Sequence, residues 1–319
     1  MQSFFAPLLV AFAVSLALGP VFIPLLQKLK FGQIIRDDGP EAHLSKQGTP
    51  TMGGLLIIFA VIVSSAVFIR NFDAKVLMAL ITFVGFSLIG FIDDILIIKK
   101  NHNKGLRAWQ KMAMQIAVSC VIAWLAYKNI GSELLIPFTA IKINLGLWII
   151  PVFVFFLVGM SNSVNLTDGL DGLASGVSMV YFAAFALIFS VGFAAKDTNM
   201  QIITTAITGA LLGFICFNRY PARIFMGDTG SLALGGMVAY VAIASETLIW
   251  LPVMGIMFVV SSLSVMIQVF VYKRTKKRVF KMAPLHHHFE QLKFHEVSIT
   301  VSYIIITVIA CIIGLMAFK

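Results

Sequence analysis

Five aspartates, a run of three histidines and a set of lysines hold the chemically capable side chains of this 319-residue chain. Asp93 and Asp94 close an apolar stretch, Phe83 to Asp94 (FVGFSLIGFIDD). Paired carboxylates at a helix C-terminus oppose the macrodipole, and acids in apolar spans usually mark a site or pathway. Asn162, Asn165, Asp168 and Asp171 recur every three residues. Neighbouring pairs share a helix face, but four such steps drift around the axis. Aiming them at one point requires the break that Gly169 and Gly172 allow. Asp228 stands in Gly227-Asp228-Thr229-Gly230, where it can be a helix N-cap or a further acid at the depth of Asp93. Phe225 beside it is equally suited to stacking on a base or to burial. Ser45 to Gly54 places Lys46, Thr49 and Thr51 at a Gly/Pro-punctuated turn, where an ammonium and hydroxyls can meet an anionic ligand. Lys99, Lys100, Lys104, Arg107 and Lys111 follow the aspartate pair. Acids beside cations are either ion-paired surface or a divalent-metal site beside phosphate-binding groups. Mg²⁺ takes hard oxygen ligands and keeps positions open for phosphate. His286, His287 and His288 do not have a zinc spacing, and their imidazoles suit hydrogen bonding to a phosphate or sugar. The chemistry that fits this set is metal-assisted phosphoryl transfer, in which positioning and charge neutralisation carry most of the catalysis. A membrane-interface site of this kind suits a lipid phosphate acceptor and a soluble nucleotide donor.

The elements that must position these residues follow from composition. The chain is 59% hydrophobic and 12% charged, with mean hydropathy +0.95, which excludes a soluble globular domain. Its apolar runs are continuous rather than alternating, which excludes a barrel. The expected fold is all-α: a polytopic integral membrane protein with ten spans near 4–26, 53–70, 76–95, 112–128, 145–162, 173–193, 201–217, 231–247, 249–271 and 298–318. The first is read as a retained helix, lacking a basic n-region and a cleavage site. There is no internal repeat, low-complexity segment or soluble domain, so residues 1–319 form one transmembrane catalytic domain. Alternate connections carry 18 of the 24 Lys and Arg residues. By the positive-inside rule these are cytoplasmic and both termini lie outside. All six histidines and eight of fourteen acids fall in that cytoplasmic set, and Asp93 and Asp94 end the span that leads into it, so the working face is the cytoplasmic one. The outer loops read as short and chemically plain. The net charge of +10 and the run Lys273 to Arg278 (KRTKKR) are thus an orientation signal or an anionic-lipid contact, not a nucleic-acid site. Cys120, Cys216 and Cys311 are scattered in apolar runs and form neither a disulfide framework nor a metal site.

With these residues in view, the chain resembles the polyprenyl-phosphate N-acetylhexosamine-1-phosphate transferase superfamily over nearly its whole length. The matching stretches are TPTMGG, the Asp93-Asp94 pair, NLTDGLDGL, FMGDTGS and PLHHHFE. The aspartate pair marks the superfamily, and PLHHHFE points to its muramoyl-pentapeptide branch. The resemblance implies transfer of a sugar phosphate from UDP-N-acetylmuramoyl-pentapeptide to undecaprenyl phosphate, giving lipid I and UMP, in a bacterial cytoplasmic membrane. It implies Mg²⁺ as cofactor with Asp228 as its ligand. It also implies Asp93 as the base or orienting group for the lipid phosphate, with Asp94 in support. Lys46, Thr51, Gly169, Leu170, Asp171, Asn218 and Phe225 match the family's uridine-side pocket. Asn162, Asn165, Asp168 and Lys111 match its polar lining, and His286, His287 and His288 its sugar-phosphate motif. A homodimer is implied as well.

One departure is visible. Many relatives carry Lys three residues after the second aspartate of the pair, where this chain has Ile97. Lys99 or Lys100 substitutes, or that contact is dispensable. Undecaprenyl phosphate is already largely ionised near neutrality, which favours a single displacement over a covalent aspartyl intermediate. Two rivals remain in view. A sister transferase using UDP-N-acetylglucosamine is opposed by the histidine run and its flanks. An ion-coupled transporter is opposed by the clustering of acids at one face and the lack of repeats.

Overall fold

The computed structural model describes residues 2–29, 46, 48–100, 105–136, 138–139, 141–191 and 196–317. Of the residues singled out above, Ser45, His43, His102, Lys104 and the Lys100 side chain lie outside it. Among the described residues, ten helices of 15 residues or more occupy the predicted stretches: α1 (Gln2–Lys28), α2 (Gly54–Phe68), α3 (Ala74–Lys100), α4 (Ala108–Asn129), α5 (Ile149–Thr167), α6 (Leu173–Val191), α7 (Thr198–Asn218), α8 (Gly227–Ala244), α10 (Ile256–Thr275) and α12 (Glu296–Met316). Eight of them are long and apolar enough to cross a membrane. The other two are α2, with 15 residues, and α4, which carries Lys111, Gln115 and Lys128. Helices suit these sequences because hydrocarbon offers no partner to a free backbone N–H or C=O.

Helix α8 is the axis of the bundle. Every residue from Thr229 to Ala244 is buried, and α3 and α5 flank it most closely, with α2, α6 and α7 completing the surround. Lipid gives helices no hydrophobic reason to associate, so small residues that permit close backbone approach decide the packing. A Cβ on Gly90 would overlap the backbone carbonyl of Asp228, and one on Gly54 would overlap the backbone of Gly230. Both contacts lie at the N-terminal end of α8, so two close helix approaches are made where Asp228 is held.

Three local features differ from the reading of the sequence. Helix α3 continues to Lys100, so Asp93 and Asp94 lie within its final turns rather than at its end; the apolar run Ile95 to Ile98 sustains the helix. The ninth predicted span is interrupted. After α8, Glu246 takes φ +61°, a short helix α9 (Leu251–Met254) begins with Pro252 in its first turn, and Gly255 separates it from α10. Proline is suited to a helix start and glycine to its end. The connection after α4, expected to be an outer and plain loop, is an antiparallel hairpin, β1 (Glu133–Leu135) with β2 (Lys142–Asn144), pairing Leu134 with Ile143. Lys142 ties it to Glu246 at 2.9 Å and to Glu133 at 3.3 Å.

Gly90→Val is predicted to push α3 off α8, at a cost of roughly 1–3 kcal/mol as for other overpacked sites. The check is thermal unfolding in detergent. A melting temperature equal to that of the wild type would contradict the close α3–α8 contact.

Candidate active site

The polar ends of α3, α4, α5 and α8 meet at one end of the bundle. Asp94 is 5% exposed and Asp93 6%. The Asp94 carboxylate accepts the backbone N–H groups of Asp228 (3.1 Å) and Thr229 (2.9 Å) and the Thr229 hydroxyl (2.6 Å). It therefore caps α8 from a neighbouring helix, where free N–H groups and the macrodipole favour negative charge. Gly227, at φ +72°, begins α8 in close contact with the Asp94 carboxylate and the Thr51 hydroxyl. The strand-like stretch around Thr51 is fastened there too. Phe225 N–H donates to the Pro50 carbonyl (2.8 Å), Gly53 N–H to the Phe225 carbonyl (2.8 Å) and Gly54 N–H to the Met226 carbonyl (2.8 Å). This brings two of the motifs, TPTMGG and FMGDTGS, side by side.

Asp93 and Asp228 share the Lys111 ammonium. Lys111 is 3.1 Å from Asp93 Oδ2 and also donates to Asp228 Oδ2. The other Asp93 oxygen accepts the Leu106 N–H, and Asp228 Oδ1 accepts the Asn165 amide at 2.7 Å. Asn165 also donates to Ser231 Oγ at 2.9 Å. Two carboxylates with one cation between them are an oxygen-only donor set. Among the described residues no group of three or more His, Cys, Asp or Glu side chains is arranged to hold a metal. One or two carboxylates completed by water and substrate phosphate is the usual Mg²⁺ arrangement, so Asp228 and Asp93 could hold that ion.

Asp168 caps the C-terminus of α5 at the turn that Gly169 and Gly172 (φ +74°) create before α6. Burial first, and then the nearby Asp228, Asp94 and Asp171 charges, push its carboxyl up to about 8. Beyond the turn lies a second cluster. Lys46 donates to Asp171 Oδ1 (2.7 Å) and to both Glu296 oxygens (2.7 and 2.8 Å). Burial disfavours the Lys46 charge, but these hydrogen bonds and charges outweigh it and hold the ammonium above its ordinary pKa. Asp171 Oδ2 accepts the Ala222 N–H at 2.8 Å. Gly169 lies directly against the imidazoles of His286 and His287, where a Cβ would collide with both. These histidines belong to α11 (Leu285–Gln291). His286 is fully buried, and His287 Nδ1 is 2.6 Å from Glu290.

Other candidate residues are engaged in holding the frame. Asn162 exchanges amide hydrogen bonds with buried Gln115 of α4, at 2.9 and 3.4 Å. Asn218 accepts the Ser175 hydroxyl (2.8 Å) and donates to the Ile224 carbonyl (2.9 Å). Leu170 is buried and Phe225 half-buried. His288 turns away, accepting the Lys281 N–H at 3.1 Å and packing on Phe280. Lys99 is exposed. Sequence reasoning passed over Thr229, Gln115 and Glu296. An acid in the first turn of a helix already has an ordinary explanation in the macrodipole, so Glu296 carried no separate signal.

Comparisons with known proteins identify the family. The model of Glycosyl transferase family 4 matches residues 76–246, which contain Asp93, Asp94, the α5–α6 turn and Asp228. The phospho-N-acetylmuramoyl-pentapeptide-transferase signature 1 matches residues 46–58. A phospho-N-acetylmuramoyl-pentapeptide-transferase of Clostridium botulinum is 48% identical over 310 residues, covering 97% of this chain and 95% of its own. The chain belongs to the phospho-N-acetylmuramoyl-pentapeptide-transferase family. Relatives of that name from Clostridium perfringens (48% identical, 96% of this chain and 94% of theirs) and Clostridioides difficile (45% identical, 97% and 96%) agree over the same length. As a member of the phospho-N-acetylmuramoyl-pentapeptide-transferase family, the chain carries the histidine motif of α11 outside the stretch that the broader family model covers.

Two outcomes are predicted. Asp94→Asn turns an amide N–H₂ toward donors and is expected to lower stability by about 1–3 kcal/mol; unchanged unfolding in detergent would contradict its capping role. Asp168, with a folded pKa of about 8 against about 3.9 unfolded, favours the folded state fully below pH 4. That stability is lost as pH rises through 8. Asp168→Asn is therefore expected to melt higher than the wild type at pH 8.5 in EDTA, with the difference much smaller at pH 5. A gap that does not change with pH would refute the assignment.

Proposed function

We propose that this chain transfers phospho-N-acetylmuramoyl-pentapeptide from its UDP-linked donor to undecaprenyl phosphate, releasing UMP and forming lipid I for peptidoglycan synthesis. The observation that carries this is identity of 45–48% with transferases of that name along almost the whole chain, with every acidic motif gathered at one end of the bundle. The bias of 18 among 24 cations toward the loops at that end supports a cytoplasmic site with both termini outside. It also supports all ten long helices as spans in a bacterial plasma membrane. Apolar faces left exposed on α1, α10 and α12 suit lipid, and part of this surface would serve a homodimer.

The two clusters suit the two ends of the donor. Lys46, Asp171 and Glu296 together carry one excess negative charge, which matches the N–H of uracil and the ribose hydroxyls better than a phosphate. Asp93, Asp228 and Lys111 belong to the phosphate end. Mg²⁺ held there by Asp228 would neutralise charge on the pyrophosphate. Asp93, fixed by the Leu106 N–H and Lys111, orients the acceptor phosphate for a single displacement at the β-phosphorus. Lys111 remains beside the oxygens on which charge develops. His286 and His287, against Gly169, face the sugar-phosphate between the clusters.

The test is UMP release by purified protein in detergent with undecaprenyl phosphate and Mg²⁺, comparing the muramoyl-pentapeptide donor with UDP-N-acetylglucosamine, each with and without EDTA. Release from the muramoyl donor alone, lost with EDTA, is expected. Release only from the glucosamine donor would overturn the substrate assignment. Asp228→Asn is expected to reduce turnover by about 10³-fold or more while remaining folded; full activity would sink the metal-site assignment.

A further inference from the structure

The Lys46 ammonium has three protons, and all three have acceptors: one Asp171 oxygen and both Glu296 oxygens. Glu296 Oε1 also accepts the backbone N–H of Asp171 at 2.6 Å. The Asp171 carbonyl accepts the Thr300 hydroxyl at 3.3 Å, one turn further along α12. Asp171 Oδ2 takes the Ala222 N–H. The Asp171 and Glu296 carboxylates together thus join four segments distant in sequence: the stretch before α2, the α5–α6 turn, the α7–α8 loop and the start of α12. The Glu296 side chain is 10% exposed and that of Asp171 1%. In such surroundings, loss of one partner leaves the others desolvated and uncompensated. Lys46 is therefore no free cation awaiting a phosphate; its position is dictated by Glu296. The turn that Glu296 holds continues directly into Gly169, against which His286 and His287 pack.

The geometry points to Glu296 as the positioning residue of the nucleoside end of the donor site. It fixes Lys46 and the 168–172 turn without itself touching the reacting phosphates. This rests on the reading above that Lys46 and Asp171 belong to the donor pocket. Helix α12 lies outside both matched stretches, 46–58 and 76–246, so the inference comes from packing alone.

Steady-state kinetics of Glu296→Gln test it, with the two substrates varied separately. The variant is expected to raise KM for the UDP-linked donor about tenfold or more, with KM for undecaprenyl phosphate unchanged and kcat within about threefold. Glu296→Asp, which keeps the charge, is expected to recover most of the loss. A merely structural role would lower the melting temperature and kcat and leave the donor KM where it was, and that result overturns the inference. If Glu296→Gln fails to fold, Glu296→Asp and Thr300→Val are read by the same split. Both are then expected to raise the donor KM by a smaller factor, and an unmoved KM in both overturns it. Lys46→Met separates the two levels. An unchanged donor KM in Lys46→Met refutes the pocket reading and this inference with it. A raised donor KM there, with Glu296→Gln unaffected, refutes the role of Glu296 alone.

Discussion

The Asp94 carboxylate on the N-terminus of α8 is the contact on which the rest of this site depends. Helix α8 is buried along its length, so its first N–H groups have no water to turn to, and an unpaired buried donor is costly. Asp94 answers two of them and the Thr229 hydroxyl. The same bonds set the depth of α8 relative to α3, because Asp93 is the next residue on α3 and Asp228 lies in the first turn of α8. Capping the central helix and opposing the two carboxylates are thus one geometric event.

That opposition creates a surplus of negative charge in a poorly solvated place, and the protein offsets it locally. Lys111 bridges Asp93 and Asp228, Asn165 donates to the remaining Asp228 oxygen, and the Leu106 N–H takes the second Asp93 oxygen. Among the described residues no Lys or Arg pairs with Asp168, whose carboxyl is driven up instead. The arrangement leaves opposed acids that are compensated by the protein's own groups. In the proposed reaction, substrate binding then exchanges charge partners rather than burying new bare charge.

The Lys46–Asp171–Glu296 cluster, the proposed nucleoside side, solves a different problem with similar parts. Lys46, Asp171 and Glu296 are saturated by one another and by backbone N–H groups, so they behave as a cross-link more than as open ligands. Rigid placement of that kind is what a donor needs if its phosphate must arrive beside Asp93 within a small tolerance. The glycines of the α5–α6 turn allow the histidine-bearing α11 to lie against it.

Much of this was legible in the sequence, because it depends on local properties. Continuous apolar runs dictated helices in a membrane, and cation bias supported an orientation. The three-residue spacing of Asn162 to Asp171 with its two glycines required a break after α5, which occurs at Asp168. The motif residues were identifiable, since few other acids stand beside apolar runs. What only the tertiary structure decided are pairings between distant segments: Asp94 with Thr229, 135 residues away, and Lys46 with Glu296, 250 residues away. It also decided that His288 turns from the site, that Asn162 is spent on Gln115, and that α9 breaks from α10. Periodicity and composition act over a few residues along the chain. Which buried polar group satisfies which other is fixed by helix packing, where each unpaired group is expensive and only the assembled bundle supplies its partner.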